Sequence, residues 1–173
     1  MFHDEGLGAY AVEYIKRNYE IPDSLTVLEG GTLGFGLMTY YQEYDKIIVV
    51  GTGSHGGRPG DVFSESAEKI LEGGSVRKTA NEVEITMMIE ICTLHEEMGE
   101  VHMITMVPKD IIEVKTALTP EVMAKMPKLI DTVLEELHRS GISLERKSDT
   151  PTVTLEEIID EYANPRQQIY RVS

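Results

Sequence analysis

The sequence predicts an α/β fold, a three-layer α/β/α sandwich with helices on both faces of a mostly parallel, twisted sheet. Three observations carry that prediction. Helical and strand-like segments alternate along the chain in the order helix, strand, helix, strand, helix, strand, helix, the pattern of α/β domains. Ile47 to Val50 places four β-branched residues in a row, the near-continuous apolar run of a strand buried on both faces. The glycine-rich stretch after it, Gly51 to Gly60, opens a loop at the carboxyl end of that strand, where open α/β sheets bind ligands.

The first element is a helix over Asp4–Asn18, with Leu7, Ala11, Tyr14 and Ile15 at helical spacing, acidic residues at its front and Lys16 and Arg17 in its last turn, as the helix dipole favours. A short strand is predicted at Leu25–Leu28. The turn Glu29-Gly30-Gly31-Thr32 then lets a second helix start near Leu33 and run to about Glu43, weakened at its beginning by Gly34 and Gly36. Lys46–Val50 is the predicted central strand, and Asp61–Phe63 a candidate edge strand. Ser64–Gly74 is polar. From Ala80 to about His95, Val83, Met87, Ile91 and Leu94 mark one helical face, flanked by Met88 and Cys92. Glu100–Val107 is an apolar strand ended by Pro108. Thr119-Pro120-Glu121 supplies a capping residue and a proline at the first helical position, and Val122, Met126, Leu129, Val133 and Leu137 continue a long amphipathic helix to Gly141. Thr154 and Glu157 form a capping box for a last short helix over Thr154–Tyr162, stopped by Asn164-Pro165. Residues 1–144 therefore read as one α/β domain, and residues 145–173 as a polar extension carrying a short helix.

Composition narrows the function classes. The 173 residues include 30 acidic and 16 basic ones, a formal charge of −14. That balance argues against nucleic-acid backbones and anionic membrane surfaces, which require lysine and arginine. A lone cysteine, Cys92, excludes a disulfide framework and points to a reducing, cytoplasmic compartment. No run approaches the roughly 18 apolar residues that span a bilayer, and Met1-Phe-His-Asp-Glu is not a signal peptide. Gly51-Thr-Gly53-Ser-His-Gly56 matches the letters of a dinucleotide fingerprint, but Gly57, Pro59 and Gly60 follow where a helix would have to receive the pyrophosphate. The match is therefore read as a tight loop.

Three stretches together carry a resemblance. His3-Asp4-Glu5-Gly6-Leu7-Gly8, Glu29-Gly30-Gly31-Thr32-Leu33-Gly34, and the buried strand with Gly56-Gly57-Arg58-Pro59-Gly60 stand in the order seen in the HybD-like hydrogenase maturation endopeptidases. Met106-Val107-Pro108 fits the same pattern. The resemblance extends to about Gly141. It implies a phosphorylase/hydrolase-like α/β/α sandwich and an endopeptidase that removes the C-terminal extension of a nickel–iron hydrogenase large subunit. It further implies a site that probes substrate-borne nickel with a glutamate, an aspartate and a histidine.

Carried onto this chain, the resemblance implies Glu5 as the metal-binding glutamate. The aspartate position holds Gly51, which offers no side chain. The histidine position holds Asn81, whose carbonyl oxygen is a poor substitute for an imidazole; a slip of two residues would put Thr79 there. His3 and His55 lie close enough in sequence to Glu5 and Gly51 to be candidate replacements, although a loop histidine is more often merely solvated. The family's amino-terminal strand does not precede Met1, which predicts a rearranged sheet or strand donation from another protomer in a homo-oligomer.

The remaining candidates have simpler explanations. Asp61 solvates an edge strand, Glu29 serves a turn, and His95 with Glu96 and Glu97 marks a charged helix end. His102 is a satisfied strand histidine and His138 suits a helix C-terminus. The nine methionines are core filler, and Cys92 is buried and inert. Two functions remain: a maturation protease, or a catalytically inactive relative that serves as a binding or assembly factor for a hydrogenase-related subunit.

Overall fold

The computed structural model describes residues 3–31, 34–54, 56–66, 69, 87–91 and 99–164. A 3-10 turn, His3–Gly6, leads into helix α1, Leu7–Asn18. A second 3-10 turn, Gly34–Leu37, leads into α2, Met38–Glu43. Strands β1 (Lys46–Thr52), β2 (Val62–Ser66) and β3 (Glu100–Met106) follow, then α3 (Pro120–Met123), α4 (Met126–Arg139) and α5 (Leu155–Ala163). Residues 87–91 are helical.

The described sheet has the order β1-β3-β2, with β1 parallel and β2 antiparallel to β3. Alternation along the strands gives each face its own core. Ile48, Val50, Ile104 and Met106 pack with α1, α3, α4 and α5, and the largest side chains there include Leu7, Tyr10, Met126, Leu129 and Ile158. Ile47, Val49, Val101 and Met103 face the other way, onto Tyr41 of α2 and onto Met88 and Ile89. Helices thus cover both faces of the sheet, an α/β/α arrangement.

Several elements differ from the sequence reading for identifiable reasons. Leu25–Leu28 is not a strand: among the described residues it has no neighbouring strand to complete a ladder. Among the described strands the middle one is β3 and not the 46–50 segment. β1 has one partnered edge among the described residues, and its residues Lys46 to Gly51 are correspondingly only half-buried. Beyond Val50 the strand continues through Gly51 to Thr52, paired with Thr105 and Met106. The edge strand starts at Val62 and takes in Ser64–Ser66, so the polar stretch is partly sheet. In the helical 87–91 segment Met88 and Ile89 are buried while Met87 is 44% exposed, so the inward face is turned from the one the spacing marked. The rest of that helix, with Val83, Leu94, Cys92 and His95, lies outside the described residues. The helix predicted to run from Thr119 to Gly141 is two, because Pro127 lacks an N–H and is accommodated in the first turn of a new helix. α2 reaches α-helical geometry only at Met38, after the glycines.

Local signals were otherwise decisive. Thr154 Oγ1 accepts from Glu157 N at 3.2 Å and Glu157 Oε2 accepts from Thr154 N at 2.7 Å, closing the capping box of α5. That helix does not hang free. Leu155 and Ile158 enter the same core as α1, and the Asn18 side chain ties the segment down by donating to Val153 O and accepting from Val153 N.

Candidate functional site

The site is built where α1 begins against the carboxyl end of β1. Gly8 makes that approach possible: a Cβ there would lie 2.4 Å from Val50 O and 3.3 Å from Gly51 Cα. Only a glycine lets the helix backbone sit so close to the strand. The 3-10 turn carrying Glu5 also contacts β1. Although α1, α2 and most of β1 lie between them in sequence, the turn carrying Glu5 and the strand carrying Gly51 meet in the fold.

Asp4 holds this turn in place. Its carboxylate is fully buried and accepts four hydrogen bonds. Lys109 N donates to Oδ2 at 2.9 Å and Asp110 N at 3.0 Å. Thr119 N donates to Oδ1 at 2.8 Å and Thr119 Oγ1 to Oδ2 at 2.9 Å. The backbone adds Asp4 N to Asp110 O at 3.0 Å. A buried carboxylate is tolerable only with such saturation. Thr119 thus spends its hydroxyl on Asp4 and makes no side-chain cap to α3, unlike the capping role its position suggested. Asp4 received no role from the sequence; its partners lie more than a hundred residues away.

Glu5 itself is half-buried, and burial pushes its carboxyl above the usual carboxylate range. Such a group exchanges a proton nearer to neutral pH than an exposed glutamate, and when ionised it can ligate a cation. A Cβ at Gly51 would meet no heavy atom of the described residues within 4 Å. Next to it Thr52 Oγ1 is buried without a hydrogen-bond partner among the described residues. The glycine loop is pinned over the end of β3 by Gly53 N to Met106 O at 3.0 Å, Gly60 N to Val107 O at 2.9 Å and Val107 N to Asp61 O at 2.9 Å. Asp61 closes the loop on itself by accepting from Arg58 N at 2.8 Å.

His3, a candidate replacement ligand, does not simply solvate the turn. It is 8% exposed, at φ 36°, and its Nδ1 lies 3.9 Å from Asp110 Oδ2. His55 and Asn81, the other candidates, lie outside the described residues, as does Thr79. The other described histidines have structural partners: His102 Nε2 is 2.8 Å from Ser64 Oγ, and His138 Nδ1 is 2.8 Å from Ser143 Oγ. Glu29 accepts from Tyr162 OH at 3.1 Å, tying the glycine turn to α5. A second carboxylate–histidine group, Glu100, His102 and Glu136, is bridged by Lys46 Nζ, 3.0 Å from Glu100 and 2.8 Å from Glu136. It is an ion-pair network at the far end of β1.

The fold is that of the solved maturation endopeptidases. Superposition on the hydrogenase maturating endopeptidase HybD from Escherichia coli gives a TM-score of 0.77 at 22% identity, over 86% of this chain and 93% of that one. The [NiFe] hydrogenase maturation protease HybD from Thermococcus kodakarensis superposes at 0.63 with 27% identity, over 79% and 91%. The sequence pattern of the HycI hydrogenase maturation proteases matches residues 9–136, and the chain belongs to the hydrogenase maturation protease family. Among its relatives, the hydrogenase expression/formation protein HupD of Rhizobium leguminosarum is 28% identical over 170 residues, 92% of this chain and 81% of that protein. HupD of Bradyrhizobium diazoefficiens is 28% identical over 152 residues, 86% and 78%. Among the described residues no helix is long and apolar enough to cross a membrane.

Proposed function

We propose that the chain acts on the C-terminal extension of a nickel–iron hydrogenase large subunit, as its family does. The observation that supports this reading best is Glu5, held by the saturated Asp4 carboxylate at the carboxyl end of β1. Nickel enters as part of the substrate. In the described crevice Glu5 is a fitting ligand and Gly51 is none, so the residues on view do not make up the expected three-ligand set, and no step is routed through the metal. Glu5 would instead contact the nickel-bearing region of the substrate as an anion, while the glycine loop and the pinned 107–110 segment form the rim against which an extended peptide lies.

The test is to incubate the purified chain with a nickel-loaded large-subunit precursor and follow the precursor's intact mass. Loss of the extension, abolished by Glu5→Gln, is the expected result. Gly51 favours a second reading, in which the protein binds the precursor as an assembly factor without cutting it. A stable complex with an unshortened precursor would select that reading; absence of both cleavage and complex would reject the two together.

A further inference from the structure

The Glu5 crevice is not the only place where ligand-type atoms converge. On the outer side of the same turn, His3, Asp110 and Glu113 each offer one ligand atom, all lying within 4.8 Å of one another. The three come from two distant segments, the 3-10 turn before α1 and the loop after β3, brought together by Asp4. Asp110 is fixed: its Oδ1 accepts from Ile112 N at 2.8 Å and Glu113 N at 3.1 Å, which leaves Oδ2 facing His3. Backbone hydrogen bonds from Glu113 and Ile112 hold the Asp110 carboxyl below its ordinary range, so it is an anion at neutral pH.

The independent observation is His3 Nδ1. The residue is more than nine-tenths buried, and this nitrogen is out of reach of water with no hydrogen-bond partner among the described residues. Its separation of 3.9 Å from Asp110 Oδ2 is too long for a hydrogen bond. A buried imidazole nitrogen without a partner carries an energetic cost, and this one faces the Asp110 carboxylate. One ion bridging them resolves that cost.

We propose that His3, Asp110 and Glu113 bind a divalent transition-metal ion, zinc or a metal of similar preference, distinct from the substrate-borne nickel. One imidazole and two carboxylates are a donor set for zinc, whose bonds to such ligands are about 2.0–2.2 Å. Two ligand atoms on one tetrahedral ion are then about 3.3–3.6 Å apart, so His3 and Asp110, at 3.9 Å, have to close by a few tenths of an ångström and Glu113, within 4.8 Å of both, has to swing inward. It is free to do so, because its ion pair with Lys115 at 2.8 Å lies on the surface, with both side chains about half exposed. The two carboxylates balance the ion's charge and neutral His3 supplies the nitrogen. Asp110 and Glu113 also line a solvent-open groove, through which a hydrated ion reaches the site. The bound ion staples the turn bearing Glu5 to the loop after β3.

The experiment is calorimetric titration of the full chain with Zn²⁺ in a buffer free of chelators, with Co²⁺ absorption as a second readout of nitrogen and oxygen ligation. One equivalent is expected to bind the parent chain and Glu5→Gln alike, with affinity reduced at least tenfold in His3→Ala and Glu113→Gln. Glu113 is exposed and makes no core contact, so that variant reports on ligation even if His3→Ala misfolds. Binding unchanged in Glu113→Gln and His3→Ala, binding lost in Glu5→Gln alone, or absence of stoichiometric binding would each overturn the proposal.

Discussion

Asp4→Ala tests the keystone of the site. The substitution removes an acceptor that serves four donors. Two of them, Thr119 N and Oγ1, are in fully buried hydrogen bonds, and stranding them costs about 1–3 kcal/mol each. The Lys109 and Asp110 amides are part-buried and can be rehydrated, so they add less. The expected loss is about 4 kcal/mol in urea unfolding, with an unchanged denaturant slope. For a chain of this size that corresponds to a fall in melting temperature of roughly 8–16 °C. Thr119→Val keeps the shape and deletes one bond to a charged group, for an expected cost of about 1–2 kcal/mol. Because both act through one network, the double variant should lose little more than Asp4→Ala alone. A loss below about 1 kcal/mol for Asp4→Ala, or full additivity with Thr119→Val, would show that the carboxylate does not hold the turn.

Three further outcomes are expected. Gly8→Ala drives a Cβ to 2.4 Å from Val50 O, where neither backbone can yield cheaply; it should destabilise the fold by about 2–4 kcal/mol and reduce any cleavage of precursor. Gly51→Asp meets open space and a backbone without positive φ, so its stability should stay within about 0.5 kcal/mol of the parent, while nickel affinity measured by calorimetry should rise as a second carboxylate joins Glu5. Glu136 is buried, which alone would raise its pKa, but the Lys46 hydrogen bond and nearby His102 and Arg139 bring it below the ordinary 4.5. Its folded value is depressed, so its contribution is full above pH 4.5 and is lost as pH falls through the folded value. Glu136→Gln should therefore flatten the acid limb of a stability–pH profile measured by urea unfolding; an unaltered limb would place that acid sensitivity elsewhere.

The HybD-type family could be read from the chain because its signals are local. Asp4-Glu5-Gly6, the glycine turn and the glycine loop are contiguous motifs, and the Thr154/Glu157 capping box is satisfied within a single turn. The helical spacing that marked Leu7, Ala11 and Ile15 as one face of α1 is likewise a property of a dozen consecutive residues, and those three are buried. The candidate role of Glu5 rests on motif register alone.

What the chain could not reveal were relations between distant segments. The partners of Asp4 are 105 to 115 residues away, so nothing in Asp4-Glu5-Gly6 distinguishes a buried latch from a second solvated carboxylate. His3 was weighed with Glu5 because they are close in sequence, yet a turn at positive φ carries it to Asp110 and Glu113. An apolar run such as Ile47–Val50 says that both faces of a strand are covered but not which strand lies in the middle of the sheet. Sequence thus determined most of the described helices and strands, the capping box of α5 and the class of protein, because propensity and periodicity act over a few residues. Only the tertiary structure decided strand order, the break at Pro127 and the grouping of charged side chains, because burial and hydrogen-bond saturation are set by whatever the rest of the chain packs against them.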